Sequence, residues 1–144
     1  MLRISYPFRS RFSYKLDFAR GMVAKRSSGK LPALYADQLL TPTWVPDVSR
    51  SVEALIERRW AGVFHAASPD TTTPYEFAER LFRATPGPEV TIERGSLSAT
   101  LQRPDTTPRP LKGGLHCRRL PHLGISLTGW RQGMDRLVAE EGWK

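Results

Sequence analysis

The stretch that decides the fold class is Trp60-Ala61-Gly62-Val63-Phe64-His65-Ala66-Ala67, followed shortly by Thr73-Pro74-Tyr75-Glu76. The first run is almost continuously apolar and is bounded by charged and Ser-Pro segments, which is typical of a buried strand. The second is a capping box, in which the threonine hydroxyl and the glutamate side chain each satisfy a free N–H at the helix start. It predicts a helix to about Ala84 with an inward face of Phe77, Leu81 and Phe82.

Similar patterns on the N-terminal side of this stretch predict further short elements. They are, in chain order, a strand that Pro7 closes, a helix from about Ser13 to Ser27 stopped by Gly29, and a strand within Pro32–Leu40. A second helix is expected to begin at Pro46, with Asp47 at its positive end. Its spacing predicts an inward face of Val48, Val52, Leu55 and Ile56.

On the C-terminal side the patterns predict a strand, a long loop and a final helix. The strand is Glu89 to Glu93, the loop covers residues 102–114, and the helix is capped by Thr128 and buries Trp130, Met134, Leu137 and Val138. In total the sequence predicts an α/β fold with few short strands and about four helices. That number of strands is too small for a complete doubly wound sheet.

Length and composition limit the class of protein. A chain of 144 residues with 40% hydrophobic content predicts one folded domain over residues 1–144. No apolar run approaches the roughly 20 residues that a membrane span needs, and no secretory signal is present, so we expect no membrane contact and a cytoplasmic location. A single cysteine, Cys117, and three histidines argue against a disulfide scaffold and a structural zinc site.

The net charge of +8 is concentrated at the two ends of the chain. Residues 1–30 hold eight basic side chains and one acidic one. Such a field attracts polyanions, either nucleic acid, an anionic surface or a phosphorylated small molecule, or it is simply a solvated basic surface. The sequence has no helix-turn-helix, zinc-knuckle or RNP pattern, so nucleic-acid binding is disfavoured.

Motifs for catalysis are missing from the sequence. No glycine-rich turn joins a strand to a helix, and Gly113-Gly114 lies in a Pro/Lys loop. No Gly-x-Ser-x-Gly elbow occurs, and His116 beside Cys117 in sequence is a poor arrangement for activating a thiol. These absences predict no catalytic residue and no metal site, and they favour a binding module.

Several blocks along the chain carry a family resemblance. They are Leu2-Arg3-Ile4-Ser5-Tyr6-Pro7-Phe8-Arg9, Asp37-Gln38-Leu39-Leu40-Thr41-Pro42-Thr43, Gly62-Val63-Phe64-His65, Tyr75-Glu76-Phe77-Ala78 and Arg109-Pro110-Leu111-Lys112-Gly113-Gly114-Leu115. In their order and spacing they resemble the C-terminal part of the dTDP-4-dehydrorhamnose reductase family, within the extended short-chain dehydrogenases. The resemblance implies a partial Rossmann-type fold, here the sugar-nucleotide-binding portion without the N-terminal cofactor domain.

The resemblance also implies how the activity is divided between the two halves of such an enzyme. The half that binds NADP or NAD and carries the family's Tyr-x-x-x-Lys pair is not represented in this sequence, so we expect this chain alone to bind no cofactor and to be inactive. Three positions depart from the family pattern: Tyr6 stands for a common tryptophan, Arg9 for a frequent glycine and His116 for a frequent aspartate. These departures suggest a side branch of the family.

A nucleotide sugar is therefore the expected ligand. The resemblance places Ser5 and Tyr6 near the nicotinamide and the sugar. The ligand's diphosphate suits basic side chains, because arginine can contact phosphate bidentately. The basic candidates are Arg9, Arg103, Arg109 and Lys112; the polar and loop candidates are Gln38, Thr41, Pro42 and Thr43. The alternatives are that the basic residues are surface charges and that the others form a structural turn.

Two functions follow from this reading. The first is the sugar-nucleotide-binding portion of a reductase that works with a separate Rossmann domain. The second is a non-catalytic regulatory or interaction module that binds a partner protein or a second copy, since strands without a complete sheet leave edges open to association.

Overall fold

The computed structural model describes residues 1–11 and 14–142, and within them short strands alternate with helices. In chain order the elements are β1 (Leu2–Arg3), α1 (Phe18–Ser27), β2 (Leu34–Tyr35), α2 (Val45–Glu57), β3 (Phe64–His65), α3 (Pro74–Ala84), β4 (Arg94–Gly95), α4 (Leu97–Thr100), α5 (Arg119–His122) and α6 (Trp130–Glu141). The predicted α/β class with few short strands is confirmed. The helices in these ranges number six instead of about four, because α4 and α5 are single turns in segments for which the sequence predicted no element.

The strands form two parallel pairs. β1 lies beside β3, with Leu2 opposite Phe64, and β2 lies beside β4, with Leu34 opposite Arg94. The predicted strand at Glu89 to Glu93 is wrong, because the pairing with β2 begins only at Arg94. The two apolar residues of that segment, Val90 and Ile92, still pack against the core. Their alternation with polar residues therefore indicated burial but not strand pairing.

Helix α1 begins later than predicted. The Asp17 carboxylate accepts from the main-chain N–H of Arg20 and caps the helix there. The predicted start at Ser13 lies outside the described residues, and residues 14–17 precede the helix. The predicted stop is confirmed: Gly29 has φ +66°, a conformation that a residue without a Cβ adopts readily.

Helix α2 starts where the sequence predicts, but its buried face is different. Asp47 and Ser51 are buried, whereas Val52 is 39% and Ile56 70% exposed. The cause is a long-range contact, since the Asp47 carboxylate accepts from the N–H and the hydroxyl of Thr128. That contact turns a polar stripe inward and leaves the predicted apolar stripe partly in solvent.

The main core is built around four aromatic rings. Phe8 packs against Trp44 and Phe77 with ring centroids 5.4 Å apart in both pairs, and Phe77 lies 5.7 Å from Trp130. Both parts of the predicted capping box of α3 are formed, and its predicted inward residues are buried. Helix α6 buries Trp130, Met134 and Leu137 as predicted.

The start of α6 corrects a predicted cap. Gly129, not Thr128, occupies the capping position, and it has no side chain with which to cap. The N–H of Trp130 donates instead to the hydroxyl of Ser68 at 2.9 Å. The beginning of α6 is therefore fixed by the residues that follow β3.

Arg26 is a buried cation that the helical pattern did not reveal. Its guanidinium is 7% exposed and donates to the carbonyl oxygens of residues Phe82, Thr85, Gly87 and Pro88. It therefore joins α1 to the end of α3 and to the loop that follows. No helix of the described residues is long and apolar enough to cross a membrane.

Candidate functional site

A cleft of about 420 Å³ lies where three distant segments meet. Its walls come from the segment before α2, the segment after β3 and the segment before α5. The lining residues are Leu39, Thr41, Ser68, Pro69, Thr71, Lys112, Gly114, Leu115, His116 and Cys117.

Main-chain hydrogen bonds fix the first wall to the other two. The N–H of Leu39 donates to the Leu111 carbonyl at 2.7 Å, and the N–H of Gly113 donates to the Leu39 carbonyl at 3.0 Å. On the other side Leu40 and Thr72 exchange two main-chain hydrogen bonds. The walls therefore hold their positions through backbone contacts, which leaves side chains available to a ligand.

Close packing at Gly114 brings the third wall onto Thr41. A Cβ atom at Gly114 would lie 2.9 Å from the Cγ2 atom of Thr41, too close for an unperturbed contact. The N–H of Leu115 donates to the Thr41 hydroxyl at 2.8 Å. Glycine at position 114 permits this approach and so positions the Thr41 hydroxyl at the cleft.

Ser68 occupies the second wall and is 1% exposed. Its hydroxyl oxygen accepts from the N–H of Asp70 at 3.1 Å and from the N–H of Trp130 at 2.9 Å. Its own N–H donates to the Pro42 carbonyl at 3.1 Å. The two hydrogen bonds to the hydroxyl orient the side chain, and the third holds the main chain of Ser68 in place.

Cys117 and His116 complete the cleft on the side of α5. The Cys117 thiol is half-buried, its sulfur accepts from the N–H of Ala67 at 3.2 Å, and burial raises its pKa. A raised pKa favours the neutral thiol, which is a weak nucleophile. The sequence predicts that His116 does not activate the Cys117 thiol as a nucleophile. That remains a prediction, and the environment of the thiol supports it.

Of the ten predicted binding residues, the cleft brings together Thr41 and Lys112. Pro42 is buried beside them and supplies the carbonyl that holds Ser68. The Thr43 hydroxyl accepts from the Ser5 N–H at 3.0 Å and donates to the Ala66 carbonyl at 2.9 Å, deep in the core. Ser5 and Thr43 therefore take part in joining β1 to β3.

The remaining predicted residues lie outside the cleft lining. Tyr6, with φ +44°, packs its ring edge-on against Phe18 at 5.0 Å, and the Gln38 amide donates to the Pro110 carbonyl at 3.5 Å. The main-chain N–H of Arg9 donates to the Asp17 carboxylate at 3.2 Å. Arg103 and Arg109 are exposed in the loop after α4. Their roles toward a ligand stay predictions.

Sequence reasoning missed the second wall, which Ser68, Pro69 and Thr71 form. A signal for it was present: these residues follow the carboxyl end of β3, where ligands bind in open α/β sheets. The sequence feature that indicates this wall is the polar run Ser68-Pro69-Asp70-Thr71-Thr72, which lies between a buried strand and a capped helix.

The described residues do not form a dinucleotide cradle. Gly113-Gly114 packs against residues 39–41 and does not lead from a strand into a helix, which is the geometry that a pyrophosphate cradle needs. Nor do residues 1–11 and 14–142 hold any group of three His, Cys, Asp or Glu side chains suited to a metal ion.

The fold indicates the class of protein. The chain has the Rossmann-like α/β fold of dTDP-4-dehydrorhamnose reductases. It superposes on the enzyme of that name from Bacillus anthracis, solved in complex with NADP, with a TM-score of 0.79 at 21% identity over 96% of this chain and 47% of that one. The corresponding enzyme of Clostridium acetobutylicum gives a TM-score of 0.78 at 22% identity over the same shares.

Within that class, residues 1–142 match the family model described as the RmlD substrate binding domain, and the chain belongs to this family. It is 30% identical over 111 residues to a probable low-salt glycan biosynthesis reductase of Haloferax volcanii, covering 76% of this chain and 37% of that protein. It is 28% identical over 136 residues to a dTDP-4-dehydrorhamnose reductase of Sinorhizobium fredii, covering 87% and 45%. The chain thus spans less than half the length of these relatives.

Proposed function

We propose that this chain is the sugar-nucleotide-binding portion of an NAD(P)H-dependent reductase resembling dTDP-4-dehydrorhamnose reductase, and that it has no reductase activity by itself. The observation that carries the proposal is the match of residues 1–142 to a substrate-binding family. The names of the relatives support the same ligand class, since one acts on dTDP-4-dehydrorhamnose and another is a glycan biosynthesis reductase.

The role of this chain is to bind and orient the ligand. Backbone contacts hold the three walls of the cleft, and hydroxyl groups and one lysine line it. The residues that line the cleft include no hydride donor and no carboxylate. The nicotinamide dinucleotide belongs to another polypeptide segment, which a complete enzyme would supply.

Titration calorimetry on the purified chain tests this proposal. We expect heat from binding of dTDP-glucose, and none from NADPH. We also expect no loss of NADPH absorbance when a dTDP-4-keto sugar is added. Failure of dTDP-glucose to bind at millimolar concentration would overturn the ligand class. Oxidation of NADPH by the chain alone would overturn the division of activity between two segments.

A second candidate, a module that binds a partner protein, is favoured by one surface. Val52 and Ile56 project from α2 with exposed fractions of 39% and 70%. Ile4, which follows β1, is 43% exposed, and Val63, which precedes β3, is 39% exposed. Among the described strands, β1 is paired only with β3, so its other edge is open to a further parallel strand. We propose a partner with a parallel α/β sheet, such as a Rossmann domain.

The two candidates are compatible, because parallel sheets are stable mainly when further strands and helices cover them. A partner that extends the β1 edge would also cover exposed apolar residues. Binding of a nucleotide sugar by the isolated chain supports the first candidate. Concentration-dependent association without such binding supports the second.

A further inference from the structure

We propose that a basic surface at the end of α2 and around α5 binds an acidic segment of a partner protein. This surface, the α5 patch, consists of Arg58, Arg59, Arg118, Arg119 and His122, all of them exposed. It is separate from the cleft and from the apolar stripe of α2. The proposal therefore goes beyond the proposed function and does not depend on it.

The end of α2 and the α5 turn meet in the folded chain. The Arg58 guanidinium donates to the Leu123 carbonyl at 3.2 Å, across 65 positions of the sequence. Beneath this contact, Trp60 and Leu123 pack against a small core that contains Phe64 and Leu120. The basic residues at 58–59 and at 118–122 therefore belong to one packed unit of the structure.

Arg58 and Arg119 are held in place by aromatic rings and main-chain carbonyls. The Arg58 guanidinium lies 4.9 Å from the centre of the Trp60 ring, and that of Arg119 lies 3.9 Å from the centre of the Phe64 ring. Arg119 also donates to the Val63 carbonyl at 2.9 Å. A guanidinium has five N–H groups, so each of these side chains keeps donors for a carboxylate. Because both side chains are already ordered, binding loses less of their conformational entropy.

The positive charge of the patch is not balanced by its own segments. Arg59 and Arg118 are exposed, and their side chains form no hydrogen bond or ion pair with the rest of the described chain. Residues 55–63 and 116–125 contain four arginines and one acidic residue, Glu57. A carboxylate-rich segment that approaches this surface therefore meets an attractive field.

Other basic side chains already have acidic partners within the molecule. Arg20 pairs with Asp17 and Glu141, and Arg80 pairs with Asp135. These carboxylates reduce the positive field at the start of α1 and between α3 and α6. Among the residues that the structure describes, no arginine of the α5 patch has such an ion pair.

The geometry of the patch favours carboxylates over nucleic acid. Single strands bind on aromatic faces where bases can stack. Here Arg119 covers the ring of Phe64, which is 2% exposed, and Arg58 lies over the ring of Trp60. Helix α5 has four residues, which is too short for a recognition helix in a duplex groove. Guanidinium groups bind carboxylates through paired N–H donors, so an acidic protein segment fits this surface.

The patch leaves the cleft accessible. Arg119 donates to the carbonyls of Ala61 and Val63, which precede β3, whereas Ser68 and Thr71 of the cleft follow it. The Arg119 guanidinium and this wall of the cleft therefore lie at opposite ends of the strand. A partner that docks on the patch need not cover the cleft.

Fluorescence anisotropy with a labelled oligoglutamate peptide tests the proposal on the whole chain. We expect the double variant Arg59→Gln, Arg118→Gln to bind the peptide about tenfold more weakly, because two exposed ion pairs are lost. The matched control Lys25→Gln, Lys30→Gln removes the same charge from exposed lysines in and just after α1. It should change the affinity by less than about twofold. Neither pair of substitutions removes a side-chain contact within the described chain, so melting temperatures should match that of the native chain.

Two binding results would overturn the proposal. Equal losses in the two double variants would show that the peptide responds only to the net charge of the chain. Absence of binding at millimolar peptide would show that the patch does not take carboxylates. No nucleotide sugar is used in this experiment, so either result leaves the proposed function as it stands.

Amide NMR shifts locate the bound peptide. We expect oligoglutamate to move the signals of residues 57–62 and 117–123 and to leave those of Thr41 and Ser68 in place. Shifts confined to residues 1–30 or to the cleft would overturn the assignment. The same titration is made with single-stranded DNA and with phosphatidylglycerol vesicles. If either binds more tightly than oligoglutamate and loses affinity in Arg59→Gln, Arg118→Gln, the patch serves that polyanion and the acidic protein partner is wrong.

Discussion

The carboxylate of Asp47 accepts two hydrogen bonds from Thr128, one from its main-chain N–H at 2.6 Å and one from its hydroxyl at 2.9 Å. The two residues are 81 positions apart in the chain, and both are at most 5% exposed. Arg50 also pairs with the same carboxylate. The contact joins the first turn of α2 to the residue that precedes α6, and it determines which face of α2 is buried.

Removing the Thr128 hydroxyl should destabilise the chain. Thr128→Val keeps the shape of the side chain and removes the hydroxyl donor to the Asp47 Oδ1 atom, which then keeps only Arg50 as its partner. We expect a loss of about 2 kcal/mol in the free energy of unfolding, the cost of a lost hydrogen bond to a charged group. Urea denaturation measures it. Thr128→Ser, which retains the hydroxyl, should lose less than half as much, and equal losses for the two variants would contradict this account.

Arg26 should contribute more to stability than the neighbouring lysine. Arg26→Ala leaves four carbonyl oxygens without their common donor and removes the packing of the guanidinium on Phe82, 5.1 Å from the ring centre. We expect a loss of about 3 kcal/mol, in the range for a broken buried polar network. Lys25→Ala, on the exposed side of the same turn, should change the free energy of unfolding by less than about 0.5 kcal/mol. Similar losses in the two variants would show that the guanidinium contacts contribute little.

Acid should release α4 before it unfolds the rest of the chain. The N–H groups of Leu97 and Ser98 and the Ser96 hydroxyl all donate to the Asp37 carboxylate, and these hydrogen bonds lower its pKa. Because the folded pKa is lowered, the stabilising contribution is present above the ordinary carboxyl range and is lost as the pH falls through the folded pKa. Amide hydrogen exchange at Leu97 and Ser98, followed from neutral pH to below pH 3, should show this loss. In Asp37→Asn the exchange at those sites should no longer depend on pH beyond its chemical rate, and persistent pH-dependent protection would refute the assignment.

The thiol of Cys117 should react slowly and report on the cleft. Burial raises its pKa, so at neutral pH it holds less thiolate than an exposed cysteine. We expect iodoacetamide to modify it more slowly in the native chain than in urea, and the pH profile of the rate to lie at higher pH. Mass spectrometry of the alkylated peptide measures both. Saturating dTDP-glucose should slow the reaction further, since Cys117 lines the cleft; a rate that the ligand leaves unchanged would place the ligand elsewhere.

The exposed apolar stripe of α2 should cause self-association when no partner is present. Ile56 is 70% exposed, so most of its apolar side chain faces solvent. We expect the native chain to show a molar mass that rises with concentration in light scattering, and Ile56→Lys to reduce that rise without lowering thermal stability. Glu53→Lys, an exposed site of the same helix with no apolar area to remove, serves as the control for added charge. Equal behaviour of both variants would assign the association to charge.

Local signals in the sequence predicted the elements that local contacts determine. The capping box at Thr73 and Glu76 forms within four residues, so α3 appears where the sequence predicts it. Helix α2 shows the opposite case. Its start follows from Pro46, but its buried face depends on a hydrogen-bonding partner 81 residues away, which no periodicity in the helix contains.

The same distinction holds for the cleft. Thr41 and Lys112 could be named from residue type and from family resemblance, because each is a polar or basic residue within a block of sequence that carries that resemblance. Ser68 could not, because its importance comes from the two N–H groups that occupy its lone pairs, and one of them belongs to Trp130. The N–H groups that donate to a side chain can be identified only in the folded structure.

The three walls of the cleft come from positions near 40, 68 and 115, so the cleft exists only when the whole chain has reached its native arrangement. A ligand that binds there has no site in the unfolded chain, and it therefore raises the melting temperature by mass action. Each tenfold rise of ligand concentration above its dissociation constant adds about 1.4 kcal/mol to the free energy of unfolding. If the proposed nucleotide sugar is that ligand, its supply in a cell would change how long the folded chain survives proteolysis.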